Sequence, residues 1–253
     1  MAKRKNQVVI VTGGGTGIGI GVAAAFAQEG ASLVITGRRW EPLQQAKQNL
    51  ENTYGVQVLP VQADGADERA VKEVVRQAVN AFGRIDVLVN NAQASTSGVP
   101  LIEHTTEDFN LAVYSGLYAT YFYMRETFPY LKQTKGSIIN FGSGAGLFGK
   151  AGQSSYAAAK EGIRGLSRVA ATEWGEYGIN VNVVCPLVMT PGLEQWKQEY
   201  PELYRKTIQA IPLQRFGDAQ QDIGRVCVFL ASDAAAYITG ETITMQGGSG
   251  LRP

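Results

Sequence analysis

Three residues carry the first chemical signal. Tyr156 and Lys160, in Tyr156-Ala157-Ala158-Ala159-Lys160, stand four apart, and Ser143 precedes the tyrosine by thirteen positions. On a helix, positions i and i+4 share a face, so the phenol and the ammonium lie side by side. A phenol titrates at about 10, too high for easy proton exchange at neutral pH, and neighbouring positive charge lowers it. Such a tyrosine acts as general acid in one direction and general base in the other. A serine hydroxyl at a strand end orients and polarises an oxygen. A tyrosine alone is normally packing; the triplet at this spacing is what makes the chemical reading specific.

A second cluster points to a dinucleotide. Thr12-Gly13-Gly14-Gly15-Thr16-Gly17-Ile18-Gly19 follows an apolar run at 8–11 and opens an alanine-rich segment at 20–28. Glycines between a strand and a helix let backbone amides approach a pyrophosphate, and the helix N-terminus adds partial positive charge. The second strand runs into Gly37-Arg38-Arg39. An acidic residue there would hold the ribose 2′-hydroxyl of NAD. Two guanidiniums instead suit a 2′-phosphate. NADP(H) is therefore expected over NAD(H), the alternative being that Arg38 and Arg39 are a solvated loop pair. Asp64-Gly65 closes the third strand and Asn90-Asn91-Ala92-Gln93 the fourth.

Together these motifs resemble the short-chain dehydrogenase/reductase family, in particular its ketoreductase-like members, over nearly the whole chain. The resemblance is carried by Gly-x-x-x-Gly-x-Gly at 13–19, Asn-Asn-Ala at 90–92, Ser143 with Tyr156-x-x-x-Lys160, and Pro186-Leu187-Val188-Met189-Thr190. It implies a pyrophosphate loop at Thr12, Gly13, Gly15, Thr16, Gly17, Ile18 and Gly19. It implies adenine at Asp64 and Gly65 and the adenosine ribose beside Asn91 and Ala92. Tyr156 and Lys160 would hold the nicotinamide ribose, and Pro186, Val188 and Thr190 the carboxamide or pyrophosphate. Tyr156 would exchange the proton of a carbonyl being reduced, with Ser143 polarising it. Thr16 stands where many NADP-dependent relatives carry a second basic residue. Gln93 and Leu187 replace family glycines. Gly116, in Ser115-Gly116-Leu117, replaces a family asparagine that helps hold a water linking the lysine to solvent. Ser115 or extra water is the expected substitute.

Gln93, Ser143, Leu187 and Trp196 are the expected substrate contacts. The segment 191–212, with Leu193, Trp196, Tyr200, Leu203 and Tyr204, reads as a substrate lid suited to an apolar or cyclic ketone. At helical spacing the same aromatics also read as packing.

The elements that position these residues alternate. Strands are expected at 8–11, 32–36, 56–62, 85–89, 137–141, 179–184 and 242–245. Helices are expected at 20–28, 67–82, from Thr105 to about 131, at 154–174 and, with breaks, over 192–232. Apolar residues at 71, 74, 75, 78, 79 and 82 show the helical period. Alternation of this kind gives an α/β fold, a Rossmann-type doubly wound parallel sheet of about seven strands in a single domain, 1–253. Every motif falls at the carboxyl end of a strand, where such sheets bind ligands.

Composition narrows the class further. The 253 residues carry 23 basic and 22 acidic side chains, a net charge of +1 that points to neither nucleic acid nor an anionic membrane. No apolar run approaches the ~18 residues of a membrane span. The basic start at 1–5 precedes a run too short for a signal-peptide core. Cys185 and Cys227 lack metal-ligand spacing and His104 is the single histidine, so no metal is expected. The expected setting is cytoplasmic. By the same resemblance, 240–248 and the tail 249–253 are expected at contacts of a homotetramer or dimer. The leading reading is an NADPH-dependent ketone reductase, reversible as an alcohol dehydrogenase. A β-ketoacyl thioester reductase of fatty-acid synthesis is the alternative, with a basic docking surface drawn from Arg125, Arg164 and Arg168. A cofactor-binding regulator without turnover is the third reading, motivated by Gly116, Gln93 and Leu187.

Overall fold

Val8–Thr12 forms strand β1, and its alternation sets the two faces of the molecule. Val9 and Val11 enter one apolar core, Val8 and Ile10 the other, as the two-residue period of a strand requires. The structure is a computed structural model and describes residues 7–250. Among the described residues the strands are β1, β2 (Ser32–Gly37), β3 (Val58–Gln62), β4 (Val87–Asn90), β5 (Ser137–Phe141), β6 (Asn180–Pro186) and β7 (Thr242–Met245). They form one sheet in the order β3-β2-β1-β4-β5-β6-β7, every pair parallel.

Helices cover both faces. Helices α1 (Gly17–Gln28) and α2 (Trp40–Tyr54) pack Val22, Phe26, Leu43 and Leu50 into the core that receives Val9 and Val11. Helices α3 (Glu68–Phe82), α5 (Ala119–Thr134) and α7 (Ser154–Trp174) close the other face with Val71, Val74, Met124, Leu131 and Ala170. Short helices α4 (Thr106–Ala112) and α6 (Gly144–Phe148) follow β4 and β5. Helices α8 (Pro191–Glu199), α9 (Pro201–Gln209) and α10 (Arg225–Leu230) lie between β6 and β7. From β1 the chain winds outward first through β2 and β3, then through β4 to β7. The reversal falls between β1 and β4 and opens a crevice at their carboxyl ends.

The expected strands are all present, and so is the doubly wound sheet. The helix at 40–54 was not among the expected elements, although Leu43, Ala46 and Leu50, all buried, have helical spacing. The helix expected from Thr105 to about 131 begins with the anticipated capping box between Thr105 and Asp108. It is not uniform: Val113–Tyr118 is a π-turn between α4 and α5. Helix α6 is an unexpected single turn whose N-cap is Ser143. The basic start at 1–5 and the end of the tail at 251–253 lie outside the described residues.

Candidate active site

The crevice between β1 and β4 is a groove of about 670 Å³. Its wall includes Thr12, Gly13, Gly15, Thr16, Ile18, Arg38, Arg39, Asp64, Gly65, Asn91, Ala92 and Gln93, all expected from the sequence. Two glycines explain the turn beneath it. Gly13 has a φ of +67°, which favours glycine. Gly19 is buried, and a Cβ there would strike the backbone of Gly13. Position 19 must therefore stay free of a side chain, and the start of α1 borders open space at Gly17. That is the cradle a pyrophosphate needs.

The two halves of the sheet are tied together at the groove floor. Thr12 Oγ1 accepts the backbone N–H groups of Asn91 at 3.0 Å and Ala92 at 3.1 Å, and Asn91 Nδ2 donates to the Thr12 carbonyl at 2.9 Å. Deeper in the sheet Asn90 Nδ2 donates to Asn140 Oδ1 at 2.8 Å, and Asn140 Nδ2 donates to Ser167 Oγ at 2.8 Å, linking β4, β5 and α7. Thr36, Pro42, Leu43, Ser115, Thr120 and Tyr123 also line the groove and were not expected to. Pro42 and Leu43 come with the overlooked helix α2. Tyr123 is buried and bonded to Thr36, and burial pushes its phenol up to about 12.

Ser143, Tyr156 and Lys160 meet at the carboxyl end of β5. Ser143 lies close enough to Tyr156 to favour its charged form. Ser143 Oγ also accepts the N–H of Ala145 at 3.1 Å, which fixes it as the cap of α6. Lys160 is 4% exposed, and its Nζ donates to the carbonyl of Phe141 at 2.6 Å and lies 5.6 Å from the centre of the Tyr156 ring. Burial pushes the Lys160 ammonium down to about 8. Burial also holds the Tyr156 phenol above its ordinary value, and the neighbouring Ser143 hydroxyl works against that. The expected lowering of Tyr156 by its ammonium neighbour is thus not what the protein alone produces. The physical reason is that burial of the phenol itself disfavours the phenolate and outweighs the Ser143 interaction.

The remaining expected residues are more scattered. Gly17 and Gly19 are not on the groove wall: Gly19 is buried against Gly13, and Gly17, with a φ of +56°, faces open space. Thr190 caps α8 by accepting the N–H of Leu193 at 3.3 Å. Val188 bridges Gly217 through the N–H and C=O groups of its neighbours, so its own backbone groups face the other way. Pro186 ends β6, and Leu187 lines a smaller cavity of about 170 Å³ with Arg215, Asp222 and Met245. Trp196 packs edge-on to Tyr204, which in turn packs on Phe216. One contact had no sequence signal: His104 Nε2 lies 2.8 Å from Ser155 Oγ, beside Tyr156, and ties the segment after β4 to the first turn of α7.

A family model described as enoyl-(acyl carrier protein) reductase matches residues 13–249. The chain is 59% identical over 253 residues to a 12alpha-hydroxysteroid dehydrogenase of Clostridium sp., covering 98% of each chain. It is 36% identical over 247 residues to a 3-oxoacyl-(acyl-carrier-protein) reductase of Thermotoga maritima, covering 96% of this chain and 98% of that one. It is 36% identical over 251 residues to the levodione reductase of Leifsonia aquatica, covering 96% and 94%. A crystal structure of levodione reductase superposes with a TM-score of 0.91 at 33% identity, covering 98% of this chain and 99% of that one. No helix among the described residues is long and apolar enough to cross a membrane.

Proposed function

The chain belongs to the short-chain dehydrogenase/reductase family, and from that premise we propose an NADPH-dependent reductase of bulky cyclic ketones, reversible as an alcohol dehydrogenase. The coarser statement is that it is an oxidoreductase acting on CH–OH and C=O groups with a nicotinamide cofactor. The observation that carries the reading is the grouping of Ser143, Tyr156 and a buried Lys160 at the carboxyl end of β5, with Lys160 Nζ bound to Phe141 O and 5.6 Å from the centre of the Tyr156 ring.

The groove fits the cofactor. The glycine-rich turn at Gly13 to Gly19 would hold the pyrophosphate, Asp64 and Gly65 the adenine, and Asn91 and Ala92 the ribose next to it. Arg38 and Arg39 stand at the end of β2 with no carboxylate between them to repel a 2′-phosphate. When bound, the cofactor supplies or accepts the hydride and, oxidised, brings a positive ring. Ser143 accepts a bond from Ala145, so its hydroxyl hydrogen is left for Tyr156 or the substrate oxygen. Tyr156 Oη gives its proton to that oxygen in reduction and takes it back in oxidation. Lys160 spends one donor on Phe141 and keeps two for ribose hydroxyls and for placing positive charge near the phenol. Pro186, Val188 and Thr190 would hold the carboxamide or the pyrophosphate.

The substrate class is supported by the relative named for a 12alpha-hydroxysteroid and by the aromatic residues of 191–212, read as a lid. Assembly as a homotetramer or dimer is supported by an exposed aromatic face, Phe109, Tyr114, Tyr118 and Tyr121, and by β7 at the sheet edge. Likeness to 3-oxoacyl-(acyl-carrier-protein) reductases favours β-ketoacyl thioesters as a second substrate class. One experiment separates these. Loss of NADPH and NADH absorbance is followed with oxosteroids, small cyclic ketones and a β-ketoacyl thioester, with Tyr156→Phe alongside. Tyrosine-dependent turnover of oxosteroids, faster with NADPH, is expected. Preference for the thioester selects the second reading. Turnover that survives in Tyr156→Phe overturns the mechanism, and binding without turnover makes the chain a regulator.

A further inference from the structure

Helix α7 begins without a side-chain cap, and Tyr156 is its third residue. At the starts of α3, α4, α6 and α8 the side chains of Asp67, Thr105, Ser143 and Thr190 each accept an N–H of the first turn. Gln153 does nothing of the kind for α7. Ser154 Oγ, the next side-chain oxygen, is buried and has no partner among the described residues. The first N–H groups of a helix have no acceptor inside it, and an uncapped first turn frays. A group that exchanges a proton needs firmer holding, because a misplacement of about 1 Å costs about a hundredfold in rate. Something other than a cap has to hold this turn.

The segment between β4 and α4 touches the residues around the start of α7 twice. The Gly98 N–H donates to Gly152 O at 2.8 Å, an approach so close that a Cβ at Gly152 would lie 3.1 Å from Gly98 Cα. His104 Nε2 lies 2.8 Å from Ser155 Oγ, and Ser155 is fully buried. The segment is itself fastened. Ser115 Oγ accepts the Ala94 N–H at 3.0 Å, and Thr96 Oγ1 donates to Asp108 Oδ1 at 2.5 Å. His104 directly precedes Thr105, whose capping box with Asp108 fixes the chain there. His104 Nδ1 is buried and has no partner among the described residues. A buried N–H without an acceptor is costly, so the ring proton belongs on Nε2 and the imidazole donates to Ser155 Oγ. We propose that His104 is a positioning residue for Tyr156: through Ser155 it holds the uncapped first turn of α7 in the place from which the phenol serves the substrate oxygen. It acts through Ser155 and exchanges no proton with substrate. The inference rests on the reading of Tyr156 as the proton-exchanging group.

His104→Leu removes the donor and leaves an apolar side chain of similar size. It is expected to lower kcat about tenfold, the scale on which misplacement of a reacting group acts, with KM for the ketone and the Kd for NADPH unchanged. His104→Gln brings a donating amide within reach of the same oxygen and is expected to recover most of the loss. Ser155→Ala removes the acceptor. It is expected to lower kcat by itself but to add little to H104L, because the two side chains act as one pair. Hydrogen exchange reads the same brace without turnover: in H104L the amides of 154–158 should exchange faster, while those in the middle of α7 keep their rate. A kcat per folded molecule indifferent to H104L overturns the proposal even if Tm falls, since that is the mark of packing alone. An H104Q variant no better than H104L, losses that multiply in H104L/S155A, or a change confined to KM overturn it equally. If H104L does not fold, S155A decides, and an unchanged kcat there overturns the proposal. Tyr156→Phe is measured in parallel. Retained turnover there is a failure of the underlying mechanism, whereas tyrosine-dependent turnover that ignores His104 is a failure of this inference alone.

Discussion

Thr12 and Asn91 hold each other by reciprocal bonds: the Asn91 N–H reaches Thr12 Oγ1 at 3.0 Å while Asn91 Nδ2 reaches the Thr12 carbonyl at 2.9 Å. The Ala92 N–H shares the same hydroxyl. Thr12→Val keeps the shape and leaves two N–H groups without their acceptor. A net loss of about 1–3 kcal/mol is expected. Because those groups form the groove floor, weaker NADPH binding should accompany the lower stability. Urea unfolding and a fluorescence titration check both; unchanged binding would show that the groove survives without this clasp.

Arg38 reports on the cofactor. Its backbone carbonyl already serves Gln62 Nε2 at 2.9 Å, while its side chain faces the groove. A charge-assisted bond to phosphate is worth about 1.5–3 kcal/mol, so Arg38→Ala should weaken NADPH about 10- to 100-fold and NADH little. Kd values for the two cofactors decide the matter, and equal losses would remove the assignment of a 2′-phosphate site.

Lys160 makes stability depend on pH in an unusual direction. Its folded value of about 8 lies below the ordinary 10.5, because burial disfavours the ammonium. Between those values the unfolded chain binds more protons, so this contribution to stability rises with pH from about 8 to about 10.5. Below 8 the full cost is present, at most about 3 kcal/mol. Lys160→Met should therefore unfold at higher urea than the parent at pH 7, lose that advantage as the pH approaches 10, and lose turnover throughout. A parent chain as stable relative to the variant at pH 7 as at pH 10 would contradict it.

Asp86 is the opposite case, a carboxylate needed for folding and remote from the groove. It is 2% exposed, accepts the Val8 N–H at 2.9 Å and pairs with Arg84 through bonds of 2.9 and 2.6 Å. Asp86→Ala leaves that N–H buried and unpaired, for a loss of about 2–4 kcal/mol. The half-exposed Arg84 adds little. It lies at the amino end of β4, so kcat per folded molecule should not change; denaturation curves and active-site-normalised rates test the two halves.

What could be read from the sequence followed from short-range rules. Glycines at 13, 17 and 19, the strand before them and the apolar period at 71–82 each depend on a few neighbouring residues, and each became the element expected. Helix α2 was legible too, through Leu43, Ala46 and Leu50, but polar residues dominate its length and it carried no motif. The π-turn at Val113–Tyr118 had no local sign, and the Gln93 amide lies against its Gly116 from another element. Gln93 and Gly116 were noticed as two separate departures from a pattern, and only their proximity joins them. The partnership of His104 with Ser155, 51 positions on, had no local sign either.

The pairing of β1 with β4 has a consequence for how the protein acquires its groove. Val9 lies opposite Val87, a separation of 78 positions, wider than for any other neighbouring pair of strands in the sheet. Loop-closure entropy grows with the logarithm of length, and non-local parallel pairings are slow to form. β2 and β3 can assemble on β1, and β5 on β4, over shorter loops. The seam between the two halves is therefore the costliest closure in chain entropy, and it is the seam on which a dinucleotide would lie. A ligand that binds only the joined form raises the stability of the whole chain by mass action. Refolding in the presence of cofactor should then yield more native protein at equilibrium, through a molecule that fastens together the two parts of the chain that meet across the longest loop.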